Sequence, residues 1–211
     1  MKSLSLSRPL VLLIIGVPGS GKSFFARQFA ETFSAPLVNH DYIRSQIFED
    51  PQYSRVEESI VQDIGLQQVE ELLKTQKTFI IDGYLNARTE RQAIQKLATE
   101  RDYGTLTVWV QTDEPTSRQR ATRRNPKRQG DIYDTPLTSE QFESQAKRLT
   151  PPAPQESFVV ISGKHTYATQ AKIILKKLVA PREEQVKQQP AQPISHEKQP
   201  DQPRRRNVII N

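Results

Sequence analysis

The feature that most constrains this chain is Gly16-Val17-Pro18-Gly19-Ser20-Gly21-Lys22-Ser23, which directly follows the apolar run Leu10 to Ile15 and opens an amphipathic stretch from Lys22 to Phe33. Gly-x-x-x-x-Gly-Lys-Ser set between a buried strand and a helix N-terminus is a loop built to wrap phosphates. The glycines let the backbone turn tightly enough for successive N–H groups, and the positive end of the helix, to face an anion. In this reading Gly16, Pro18, Gly19, Ser20 and Gly21 cradle a nucleoside triphosphate, and Lys22 reaches its β and γ phosphates. The Ser23 hydroxyl is a magnesium ligand, so ATP and Mg2+ are the expected cofactors.

The rest of the chain supplies a fold for that loop. Apolar runs predict strands at Leu10 to Ile15, Pro36 to Val38, Thr78 to Asp82, Leu106 to Val110 and Phe158 to Ile161. Helical spacing marks Lys22 to Phe33, Val56 to Gln76, Arg88 to Glu100 and Thr166 to Val179. Asp113 caps a further helix that tolerates Pro115 in its first turn, and Thr138 with Gln141 forms a capping box for one reaching about Leu149. Strands buried on both faces and separated by helices predict a parallel sheet of about five strands in a three-layer α/β fold of P-loop NTPase type.

Composition divides the chain. Hydrophobic residues make up 35%, below the ~45–50% of an ordinary globular protein. The deficit is concentrated in residues 181–211, which hold five prolines and six glutamines but no glycine and no aromatic. Such a segment cannot bury enough apolar surface to offset its ordering entropy, so a domain at 1–180 and a disordered tail at 181–211 are expected. The absence of cysteine excludes a disulfide framework, thiolate zinc sites and a cysteine nucleophile. Leu10 to Ile15 is short for a signal peptide and leads into the glycine turn, and no segment approaches the ~20 apolar residues of a membrane span. A cytoplasmic monomer without a membrane partner is the expectation.

Two carboxylates join the loop. Asn39-His40-Asp41-Tyr42-Ile43-Arg44 follows the second strand, so Asp41 emerges on the rim where ligands bind in an open parallel sheet. There Asp41 either accepts the proton of an attacking hydroxyl, with Arg44 holding an anionic acceptor one helical turn later, or merely caps a helix. The third strand delivers Asp82 to the same rim, where it acts on magnesium or contacts the acceptor. His40 and His165 offer no triad or ligand spacing, and Trp109 reads as core.

Charge clusters at one place. Residues 1–180 hold 24 basic against 20 acidic side chains and the tail holds 6 against 4, so neither part is strongly basic by count. Arg118, Arg120, Arg123, Arg124, Lys127 and Arg128, however, stand together with no acid between them. With these motifs the chain, over roughly residues 8–180, resembles the P-loop kinases grouped around polynucleotide 5′-hydroxyl kinase and the zeta toxins. The resemblance implies that Asp41-x-x-Arg44 supplies the general base and an acceptor-binding arginine. It also implies that residues 118–137 form a lid, with Arg124 and Arg128 closing over the triphosphate and Arg120 against the nucleotide base. The implied reaction is transfer of the ATP γ-phosphoryl to a hydroxyl of a nucleic-acid 5′ end, a nucleotide sugar or a small metabolite. The alternative is an ATP-driven regulatory switch with no phosphorylated substrate. Nucleic-acid binding as the main activity has only Arg204-Arg205-Arg206 and the lid cluster behind it.

Overall fold

Six consecutive buried aliphatic residues form β1 (Leu10–Ile15), a strand that needs neighbours on both edges and cover on both faces. It pairs in parallel with β3 (Phe79–Asp82) on one side and β4 (Gly104–Gln111) on the other. Outside these lie β2 (Leu37–Asn39) and β5 (Phe158–Ser162), giving a five-stranded parallel sheet of order β2-β3-β1-β4-β5. The structure is a computed structural model that describes residues 8–124 and 135–179. The expected tail, 181–211, lies outside the described residues.

Alternation along β1 divides the core in two. Val11, Leu13 and Ile15 pack with Ile43 of α2 (His40–Ile47), Val61, Val69 and Leu73 of α3 (Arg55–Leu73), and Ala98 of α4 (Arg88–Glu100). Leu12 and Ile14 face the other way, onto Phe25, Ala26 and Phe29 of α1 (Lys22–Phe33) and Ile174 of α7 (Tyr167–Val179). These are the three layers that buried strands separated by helices require. A third cluster, Ala121, Leu137 and Phe142, joins α5 (Glu114–Thr122) to α6 (Ser139–Lys147). No helix among the described residues is long and apolar enough to cross a membrane.

The predicted elements are present with their ends shifted by up to three residues. The long helix stops at Leu73 rather than Gln76, and Gln76 itself takes a left-handed φ of 56°. Helix α2 carries the turn expected to hold Asp41 and Arg44, but it had no predicted bounds, because its eight residues are too few to establish a period. Register then gathers the strand ends: Asn39 lies opposite Asp82, and Asp82 opposite Ile14, so β2, β3 and the glycine loop after β1 open on one rim.

Candidate active site

The loop leaves β1 at Gly16 and enters α1 at Lys22. A Cβ on Gly16 would lie 2.5 Å from the Val110 carbonyl oxygen, and one on Gly19 would collide with that of Ser117, so the loop passes too close to β4 and α5 for any side chain there. Gly21, at φ 102°, is the N-cap of α1 and offers no capping side chain, leaving the first N–H groups of the helix for an outside acceptor. The Ser20 hydroxyl is buried in the loop without a hydrogen-bond partner among the described residues. Lys22 Nζ donates to the Val17 carbonyl at 3.0 Å, bent over the loop that it would serve.

Asn86 holds the loop from outside. Its Oδ1 accepts from Gly16 N at 3.1 Å and its Nδ2 donates to Gly16 O at 3.2 Å. Asn86 is in turn fixed by Arg91, fully buried, which donates to the Leu85 and Asn86 carbonyls and pairs with Glu156 at 2.7 Å. Thr112 donates to Ser20 O at 3.0 Å from the end of β4. None of these supports stands out in the sequence, because each is a lone residue far from the loop in chain position.

Asn39, not Asp41, caps α2. Its Oδ1 accepts from Tyr42 N at 2.6 Å while its Nδ2 donates to Asp82 Oδ2 at 2.8 Å, so one amide starts the helix and orients the strand-end carboxylate. The capping role considered for Asp41 is therefore corrected. Asp41 lies in the first turn, partly exposed, and makes no hydrogen bond or ion pair among the described residues. Beside it His40 is buried between two glycines: a Cβ on Gly65 of α3 would lie 2.5 Å from His40 Nε2, and one on Gly83 2.7 Å from Nδ1. Burial pulls the His40 pKa down to about 4, opposed by its contact with the Asp82 carbonyl and aided by the nearby Arg44 charge, so the ring is neutral at pH 7.

Arg44 is buried and has partners of its own. Its Nη1 lies 3.4 Å from Glu57 Oε2, its Nη2 donates to the Tyr84 hydroxyl, and its Cζ sits 4.6 Å from the centre of the Tyr53 ring. Glu57 is held below the usual carboxylate range first by the Gln52 N–H that it accepts at 3.0 Å, with Arg44 adding to the shift. Burial pushes the Tyr84 phenol up, so it stays protonated.

A cleft of about 120 Å3 collects Pro18, Lys22, Ser23, Asp41, Arg44, Asp82 and Arg124 from the residues expected at the site, and adds Tyr53, Glu58, Tyr84, Glu90 and Arg148. Arg120 instead donates to the Gly163 carbonyl at 3.2 Å, beside the end of β5. Arg118, first of the clustered cations, is not uncompensated: it pairs with Glu114 at 2.9 Å and Glu143 at 3.0 Å and lies over the Phe142 ring, holding α5 to α6. Arg128, Lys127 and half of the expected lid, residues 125–134, lie outside the described residues. Trp109 is half-buried on β4, between β1 and β5, where it packs against the core and lines a larger, shallower hollow of about 540 Å3 with Val160 and Leu149.

Ser23 and Asp82 share the cleft, while no group of three or more histidine, aspartate or glutamate side chains among the described residues forms a metal cage. That donor set fits magnesium, which takes one or two protein oxygens and completes its shell with phosphate and water. The orphaned Ser20 hydroxyl and the uncapped helix start fit the phosphates that would bring it.

Comparison with known proteins agrees with this geometry. A family model described as "AAA domain" matches residues 11–152. No curated protein matches the chain in sequence. Among solved structures, a gluconokinase from Sinorhizobium meliloti 1021 superposes with a TM-score of 0.59 at 18% identity, covering 81% of this chain and 91% of its own. Chaetomium thermophilum Kti12 in complex with ADP-AlF3 gives 0.60 at 15% identity, covering 81% and 100%. The Mycobacterium tuberculosis APS kinase CysC in complex with AMPPNP and APS gives 0.57 at 15% identity, covering 82% and 99%. These likenesses establish a P-loop kinase-like fold.

Proposed function

This chain belongs to the AAA domain family, and we propose that it is an ATP- and magnesium-dependent phosphotransferase acting on a hydroxyl of a small metabolite. The observation that carries the proposal is one cleft holding both a phosphate loop with its Lys22 and Ser23 and an uncommitted carboxylate, Asp41. Similarity in fold to a gluconokinase and to an APS kinase supports a small acceptor over a nucleic-acid end. The Asp41-x-x-Arg44 and lid resemblance to polynucleotide kinases and zeta toxins is kept for the reaction, not for the substrate.

The loop N–H groups and the start of α1 bind the β and γ phosphates, and Lys22 turns from the Val17 carbonyl to place its charge between them. Asp41 accepts the acceptor's hydroxyl proton as the new O–P bond forms and the bond to the β-phosphate oxygen breaks, leaving ADP. Arg124 neutralises charge spread over the moving phosphoryl, with Arg128 proposed alongside it. Magnesium, when bound, would supply further positive charge against the triphosphate; Ser23 and Asp82 are the residues that would hold it, Asp82 oriented by Asn39. Arg44, pinned by Glu57 and Tyr84, shapes the acceptor side.

We also propose a cytoplasmic, monomeric protein whose domain ends near residue 180. The test of the whole reading is label transfer from γ-labelled ATP to pooled hydroxyl compounds. Lys22→Ala should abolish transfer and strongly weaken ATP binding. ATP hydrolysis at full rate with no labelled acceptor would instead favour the switch reading.

A further inference from the structure

Resting on the phosphotransferase reading above, the geometry points to an acceptor that carries no anionic group: a small neutral or amino-bearing polyhydroxyl compound. The cleft has two electrically different sides. Lys22 belongs to the phosphate loop and Arg124 lines the same cleft, and both are assigned here to the triphosphate. On the acceptor side Asp41, Glu58 and Glu90 line the cleft and Glu57 stands behind it, against only Arg44 and Arg148.

Both of those guanidiniums already have carboxylate partners, although Arg44 Nε is buried without a hydrogen-bond partner among the described residues. Arg148 lies between Glu58 at 3.5 Å and Glu90 at 3.2 Å. Arg44 pairs with Glu57 where the two side chains are 4% and 11% exposed, and it is held further by the Tyr84 hydroxyl and the face of Tyr53. An incoming phosphate, sulfate or carboxylate would have to pull Arg44 from a buried partner, and breaking such a pair leaves an uncompensated buried charge. After this pairing two negative charges are left over on the acceptor side, one on Asp41, the carboxylate proposed to meet the acceptor, and one shared by Glu58 and Glu90 around Arg148.

Carboxylates and phenols in this arrangement suit hydroxyl and ammonium donors. A polyanion would meet repulsion on this side at short range. The cleft's volume of about 120 Å3 is also well under the ~300–1,000 Å3 of ordinary small-molecule pockets, which favours a small acceptor over a run of nucleotides.

The experiment offers the full chain, with magnesium and γ-labelled ATP, four pools: neutral sugars and polyols, amino sugars, sugar acids with sugar phosphates, and 5′-hydroxyl oligonucleotides. We expect label in the neutral or amino pool, with kcat/KM about tenfold or more above the anionic pools, the worth of one charge-assisted contact. Comparing the first two pools tells neutral from cationic acceptors. Preference for sugar acids, sugar phosphates or oligonucleotides overturns this acceptor class while leaving phosphotransfer intact. Label in no pool overturns the phosphotransfer reading and this inference with it. Glu58→Gln releases one of the two carboxylates on Arg148 and should shift the ratio of kcat/KM toward sugar acids by about tenfold. An unchanged ratio in that variant, folded by circular dichroism, would contradict the charge argument.

Discussion

Gly65→Ala tests the packing that sets Asp41 in place. Gly65 lies inside α3, where alanine ordinarily stabilises a helix by ~1 kcal/mol over glycine. Here the added Cβ would stand 2.5 Å from His40 Nε2, 3.1 Å from Cδ2 and 3.2 Å from Cε1. The ring cannot retreat cheaply, since Gly83 lies against its other side and Tyr84 meets it edge-on with centroids 4.9 Å apart. Overpacking of this kind costs ~1–3 kcal/mol, so the net effect is a destabilisation of up to about 2 kcal/mol. For a domain of this size that lowers Tm by several degrees, at ~2–4 °C per kcal/mol. Because His40 precedes Asp41 on α2, kcat should fall while ATP affinity holds. Thermal unfolding of Gly65→Ala, His40→Ala and the double variant checks the reasoning: removing the ring should make Gly65→Ala neutral or stabilising. A rise in Tm for Gly65→Ala alone would mean that helix propensity, not the histidine contact, governs the position.

His40 also predicts a pH dependence. Its pKa is about 4 folded against 6.5 unfolded, so below pH 6.5 the unfolded chain binds a proton that the folded one does not. Its contribution to stability is complete above pH 6.5 and is lost as pH falls toward 4, by up to about 3 kcal/mol at ~1.4 kcal/mol per pH unit. Chemical denaturation between pH 4 and 7 should show this slope in the wild type and a shallower one in His40→Gln; parallel slopes would contradict it. Asn86→Ala removes both hydrogen bonds to Gly16, and at ~1 kcal/mol each should weaken ATP binding by up to about thirtyfold, measured by calorimetry. Unchanged affinity would mean that the loop holds its shape without Asn86.

Much of the fold is legible because its signals are local. The aliphatic run of β1, the spacing of Gly16, Gly21 and Lys22, and the Thr138–Gln141 capping box each lie within a few residues of one another. Asp82 at a strand end could be placed on the rim by the parallel topology alone. What escaped depends on contacts between distant segments. Asn39 reads as an ordinary residue until the register of β2 on β3 brings its amide to Asp82. Arg44 looks available for an anion until the chain from Phe48 to Ser54 returns Glu57 to it. Arg148, Glu58 and Glu90 come from three helical neighbourhoods and meet only in the folded cleft. Arg118 shows the same limit in reverse, since Glu143, 25 residues on, neutralises it.

The most direct test of the account is the turnover of Asp41→Asn, measured with the acceptor that label transfer identifies and paired with its ATP affinity. Asn39 caps α2 without help from Asp41, so the variant should fold and bind ATP as the wild type does. Its kcat should fall ~10²–10⁴-fold, the range for loss of a general base. Full turnover in Asp41→Asn, with ATP affinity intact, would contradict the claim that Asp41 takes the acceptor's proton.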